Sequence, residues 1–144
     1  MQNLDENEIN AITRQTVGVD RQEINWSRGT LLVAEIGSKM LANWNKMYDT
    51  SKTIIFVVDT QNSEQFLASQ AEFSILMSND SLIETPILLL FNKTDGVISP
   101  DMSYLMDMFE VDEHMSERSN FEWFSISAAT GLNCEDVLEW IGKL

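Results

Sequence analysis

The stretch LLLFNKTDG, Leu88–Gly96, begins as a run of large apolar residues and changes within one step to Asn92-Lys93-Thr94-Asp95-Gly96. A continuous apolar run of this length, Ile87–Phe91, suits a strand buried on both faces of a parallel sheet. Asn, Asp and Gly directly after it are turn formers. A second run, Ile54-Ile55-Phe56-Val57-Val58, ends in the same way on Asp59. Between the two, Ser63–Ser78 places Phe66, Ala71 with Phe73, and Leu76 with Met77 at helical spacing, the mark of a crossover helix. The runs and the segment joining them read as one β-α-β unit.

Working outward, residues 17–27 and 30–36 read as two strands about the turn Ser27-Arg28-Gly29, antiparallel because the loop is short. Downstream come a helix near Met102–Phe109, a short strand over Phe121–Ile126 and a closing helix from Cys134 to Leu144, which Trp140 anchors to the sheet. This order, a hairpin and then β-α-β-α-β-α, predicts an α/β fold whose mainly parallel sheet carries one antiparallel hairpin and is flanked by helices. No repeat, low-complexity tract or linker interrupts it, so residues 1–144 are expected to form a single domain. A chain of this length buries roughly 68–70% of its unfolded surface.

Nine Lys and Arg stand against 23 Asp and Glu, a formal net charge of −14. Such a surface repels phosphate backbones and anionic head groups, so neither nucleic acid nor a membrane surface is an expected partner. The lone Cys134 excludes an internal disulfide. With no secretory signal and no lipidation motif, the expected compartment is the reducing cytosol, without a membrane anchor. The apolar runs are too short to span a bilayer. His114, among Asp112, Glu113 and Glu117, has no second His or Cys at metal spacing and reads as a solvated surface residue. The acidic run Asp101, Asp107, Glu110, Asp112 and Glu113 reads as solvated too. Cys134 has no neighbouring base in sequence and reads as packing.

In parallel sheets, function collects at the carboxyl ends of the strands, where loops meet helix N-termini. Three loops fall there. In Asn92-Lys93-Thr94-Asp95 the Asp95 carboxylate can accept both the ring N–H and the amino protons of guanine, while Asn92 and the Lys93 stem hold the loop and flank the ring. After the last strand, Ser127-Ala128 sets a backbone N–H beside a small residue, able to meet the guanine carbonyl, although Ser-Ala-x-x-Gly is also a plain capping pattern. Glu35-Ile36-Gly37-Ser38 follows the hairpin.

The order and spacing of these loops resemble the small GTPases of the Ras superfamily, and within it the Arf-like branch. Gln15-Thr16-Val17-Gly18 is similar to that branch's Pro-Thr-Ile-Gly of switch I. Ala34-Glu35-Ile36-Gly37-Ser38-Lys39 is similar to its Trp-Asp-x-Gly-Gly-Gln of switch II, with Trp44 and Tyr48 following in pattern. The resemblance implies a guanine reader at Asn92, Lys93, Asp95, Ser127 and Ala128, and switch-like positions at Thr16, Gly18, Glu35, Gly37, Ser38 and Lys39.

The departures from the family pattern matter as much. A phosphate cradle needs Gly-x-x-x-x-Gly-Lys-Ser/Thr, whose backbone N–H groups and Lys surround the phosphates. No such string occurs in the 144 residues. The cradle Lys of the family lies about 18 or more residues before the switch I Thr, and 15 residues precede Thr16. The cradle and the first strand are therefore expected to be missing, in a truncated or degenerate domain whose inner strands either pair with each other or accept a strand from a partner. Glu35 stands where the family has the Asp that holds magnesium through water. Ser38 replaces a Gly whose N–H senses the γ-phosphate, and Lys39 replaces the Gln that orients the attacking water. The family's effector-contacting aromatics fall on Val19, Ala34 and Met47, so ordinary Arf effectors are not expected to bind.

These features predict an interaction module that works with a protein partner, without catalytic residues and without a cofactor or metal. The alternative is a GTP-binding Arf-like protein, truncated or completed by another chain, in which GTP or GDP with magnesium would be bound and Thr16 would ligate the ion. An unrelated α/β protein with chance motif matches is the third possibility, and it accounts poorly for so many matches in order.

Overall fold

The computed structural model describes residues 16, 18–26, 29–37, 41–48, 50–97 and 101–144. They fall into two compact units, Met1–Thr50 and Ser51–Leu144.

In the first unit, β1 (Val19–Trp26) and β2 (Gly29–Ile36) pair antiparallel from Val19↔Ile36 to Trp26↔Gly29. A two-residue connection thus joins them, in line with the expected hairpin. The helix α1 (Leu41–Tyr48) carries the Trp44 and Tyr48 of the sequence pattern.

The second unit is built on a parallel sheet in the order β3 (Ile54–Asp59), β4 (Ile87–Asn92), β5 (Phe121–Ser125). The crossover from β3 to β4 is a 3₁₀ turn, Ser63–Gln65, running into α2 (Phe66–Met77). Every residue from Ile87 to Phe91 is buried, as expected of a central strand with both faces covered. Strand alternation sends Phe56 and Val58 to one face, where Phe73 of α2 meets Phe56 at 5.2 Å and Phe109 at 5.7 Å between ring centroids. On the other face Leu88, Leu90 and Ile126 pack with Phe124, Val137 and Trp140. Trp140 sits on α5 (Cys134–Ile141), so it does anchor the closing helix.

The helix expected near Met102–Phe109 is found, and a second helix that the sequence reading did not expect follows it. α3 (Met102–Met108) is capped by Asp101, whose side chain accepts from Ser103 N, and α4 (Val111–Glu117) follows after a break at Glu110. Glu110 is left-handed, with φ 52°, which turns the chain between the helices. The expectation of a solvated His114 is corrected here. Val111 and His114 of α4 face inward, and Arg118, the extended residue that ends the helix, turns inward after them. The His114 ring lies edge-on to Phe73 at 5.6 Å and Phe121 at 5.7 Å. Its Nε2 is buried without a hydrogen-bond partner among the described residues, and burial holds its pKa below the usual histidine value despite Glu110 beside it.

Arg118, just past the end of α4, is only 7% exposed. Its Nη2 donates to the carbonyls of Leu82, Ile83 and Thr85, and Asn120 Nδ2 donates to the last two. Together they clasp the segment leading into β4, whose carbonyls would otherwise go unsatisfied.

Candidate functional site

The chain leaves β4 at Asn92, and Lys93 adopts a left-handed conformation with φ 68°. That turn directs the Asn92 side chain toward the loop after β5, where Asn92 Oδ1 accepts from Ala128 N at 3.0 Å. Thr94 reinforces the link: its N and Oγ1 donate to Ile126 O at 3.2 and 2.9 Å. Ser127 is fully buried. Its Oγ accepts from Thr130 N, and its carbonyl accepts from Gly131 N and from the Cys134 thiol. Cys134 is thus a packing and tethering residue at the start of α5. Asp95 and Ala128 are exposed.

The loop after β3 joins the same platform. Thr60 N and Oγ1 donate to Asn92 O at 3.0 and 2.9 Å, and Gln61 Nε2 donates to Lys93 O at 3.1 Å. Asp59 Oδ2 forms an ion pair of 2.7 Å with Lys93 Nζ, while its Oδ1 accepts from Gln61 N. A Cβ at Gly96 would lie 2.1 Å from the Gln61 carboxamide, so a side chain there would push the end of Gln61 away from Lys93 O. Three loops at the carboxyl end of one sheet are therefore cross-linked into one surface, with the Asp95 carboxylate exposed on it. The sequence reading placed Asn92, Lys93, Asp95, Ser127 and Ala128 here and missed Asp59, Thr60 and Gln61. The signal was present: both apolar runs end on a polar residue, and the parallel register sets Asp59 opposite Asn92.

The switch-like residues that are described belong to the first unit and also converge. Thr16 Oγ1 donates to Glu35 Oε1, and Gly37 N donates to Gly18 O at 3.0 Å. Gly37 is buried, and a Cβ there would lie 2.1 Å from the Thr16 carbonyl, so no side chain fits. Ser38 and Lys39 lie outside the described residues. No three His, Cys, Asp or Glu side chains are grouped to hold a metal ion among the described residues, and no described helix is long and apolar enough to cross a membrane.

This arrangement of loops agrees with the family comparison, in which the profile of the ADP-ribosylation factor family (Arf) matches residues 1–144. The chain belongs to that family. This Arf-family chain is 28% identical over 130 residues to ADP-ribosylation factor-like protein 16 of Homo sapiens, an alignment covering 90% of this chain and 66% of that protein. It is 29% identical over 108 residues to ADP-ribosylation factor-like protein alp41 of Schizosaccharomyces pombe, covering 74% of this chain and 57% of that one. The chain thus spans two thirds or less of the length of these two relatives. Among solved structures, the Arl6 BBS3 small GTPase from Trypanosoma brucei, with bound nucleotide analogue GppNp, shares the fold. The TM-score is 0.78 at 21% identity, over 95% of this chain and 86% of that one.

Proposed function

We propose that this Arf-family chain is a nucleotide-independent interaction module, a pseudo-GTPase of the cytoplasm that binds a protein partner. The observation that carries the reading is a mismatch inside the 144 residues: Asn92-Lys93-Thr94-Asp95 and Ser127-Ala128 match the family's guanine-reader pattern, and no phosphate-cradling string accompanies them. The described residues of these loops suit a base, and none of the described residues forms a donor set for a triphosphate. Charge-assisted hydrogen bonds contribute about 1.5–3 kcal/mol each, so four or five absent phosphate contacts remove on the order of 6–15 kcal/mol. A nanomolar site near −12 kcal/mol then weakens to about millimolar or worse. Lys39 in place of the Gln of the family pattern further disfavours hydrolysis, and the Lys93 ammonium is already held by Asp59.

A second reading is favoured by the exposed Asp95 beside a reader loop that is already fixed by Asn92 and Thr94. On that reading the surface binds GTP once residues from outside this chain complete it. Titration of magnesium-GTP into the purified chain, with native mass spectrometry of the same sample, tests both. The expected result is no co-purifying guanine nucleotide and no saturable binding below about 1 mM. A stoichiometric nucleotide overturns the first reading, and binding seen only with a co-purifying partner supports the second.

A further inference from the structure

The helix α2 is apolar on both of its sides. Phe66, Phe73 and Leu76 are buried toward the sheet. At about 100° per residue the opposite side carries Leu67, Ala68, Ala71 and Ile75, all exposed, Leu67 at 75% and Ile75 at 59%. A surface helix ordinarily sets charged residues on that side. The one charged residue of α2 is Glu72, on the flank.

Exposed apolar residues scattered singly are ordinary, whereas a contiguous set marks a contact. Leu67, Ala71 and Ile75 recur at i, i+4 and i+8. Such a row is the ridge that one helix lays into the groove of another, and the small Ala71 at its centre lets a second backbone come close. The face points away from the sheet, so it does not depend on what lies along the sheet's edges.

Charge selects the occupant. Residues 53–92 contain five acidic residues, Asp59, Glu64, Glu72, Asp80 and Glu84, and neither Lys nor Arg. Glu64 stands in the 3₁₀ turn before the ridge, Glu72 beside it and Asp80 in the turn beyond it. Two copies meeting at this face would bring like charges together, and an anionic lipid surface would be repelled, while a cationic helix would be drawn in. We propose that the outward face of α2 docks an amphipathic, basic helix of a partner protein. That helix sets an apolar i, i+4 row against Leu67, Ala71 and Ile75, and its flanking Lys or Arg residues meet Glu64, Glu72 and Asp80. The inference rests on the interaction-module reading and names the surface and the chemistry of its partner.

The probe is a fluorescein-labelled helical peptide of about five turns, with leucine and alanine along one face and lysine on the flanks. Its control carries glutamate in place of lysine. The full chain is titrated with each, and amide resonances are followed. The lysine peptide is expected to bind and to shift resonances within Phe66–Met77, and the glutamate peptide is not. Leu67→Ala combined with Ile75→Ala removes apolar contact without changing charge, and is expected to weaken binding by about tenfold or more. Leu138→Lys, an exposed position of α5 on the far side of the sheet, is expected to leave affinity within about twofold. Circular dichroism checks that the variants fold. Unchanged affinity in the double-alanine variant, or equal binding of the glutamate peptide, overturns the proposal. The urea midpoint of that variant is expected to match the unsubstituted chain, since both side chains are exposed. A marked fall would show the face already covered by the chain itself and overturn the proposal too. A dimer in sedimentation that the variant dissolves assigns the face to a second copy instead, and retention on neutral lipid vesicles that the variant loses assigns it to lipid. Each of these results leaves the magnesium-GTP titration untouched, so the two readings fail separately.

Discussion

His114 shows how one side chain ties pH to stability. Its imidazole is packed between Phe73 and Phe121, and burial favours the neutral ring, so its pKa lies below the ordinary histidine value of 6.5. Glu110, Glu117 and Glu113 oppose that shift and Arg118 adds to it. The unfolded chain therefore takes up this proton at higher pH than the folded one does. The stabilisation is complete above the unfolded value and is lost as pH falls through 6.5 toward the folded value. His114→Phe keeps an aromatic ring in place and removes the titration. Urea midpoints measured from pH 7.5 to 5.5 are expected to fall for the unsubstituted chain and to stay nearly level for the variant. Parallel profiles would assign the pH dependence to other groups. No pattern in the sequence signals this environment, because Asp112, Glu113 and Glu117 are exposed while the ring packs against Phe73 and Phe121.

At the scale of elements, legibility follows how much of an element's inward surface is apolar. β3, β4 and the crossover between them were readable because continuous aliphatic runs and a helical period leave little choice of partner. The closing helix was readable through Val137 and Trp140. α4 was not, since Val111 is its one buried residue and the inward side chains that follow, His114 on the helix and Arg118 just past its end, are polar. The break before it was equally hidden, because Glu110 holds a left-handed conformation at a position where Gly or Asn would have announced one. In the site, Asn92 and Ser127-Ala128 could be read from their places after strands, whereas the Asp59–Lys93 pair depends on the register of β3 against β4. The strained junction makes its own prediction. Glu110→Gly is expected to raise stability by about 0.5–1 kcal/mol through relief of the left-handed backbone. Glu110→Ala removes the same charge and retains the strain, so denaturant melts of the two variants separate the causes. An equal gain from Ala would place the effect in repulsion among Glu110, Asp112 and Glu113.

At the scale of the whole molecule, burial among the described residues is uneven, and stability is expected to follow it. Among the described residues, every buried hydrophobic side chain except Tyr48 lies between Phe56 and Ile126, in the unit that carries the Asn92–Asp95 and Ser127-Ala128 loops. In the hairpin, residues 20–25, 29–30 and 32–35 are exposed, Leu32 at 83%. A two-stranded hairpin has little stability of its own, so the backbone bonds of β1 and β2 are expected to open without the core opening. Native-state amide exchange reads this directly. Amides of Ile87–Phe91 should exchange only through global unfolding, with an opening free energy that falls steeply with denaturant, whereas those of β1 and β2 should exchange through a shallow, local opening at lower free energy. Equal free energies and slopes in both would mean that one cooperative unit spans the chain. Thr16, Gly18, Glu35 and Gly37 fall in the less protected unit, and Asn92, Lys93 and Asp95 in the protected one. A ligand that orders the hairpin would therefore raise protection in β1 and β2 before it changes anything in β4, and exchange would locate such binding even where the overall melting temperature does not move.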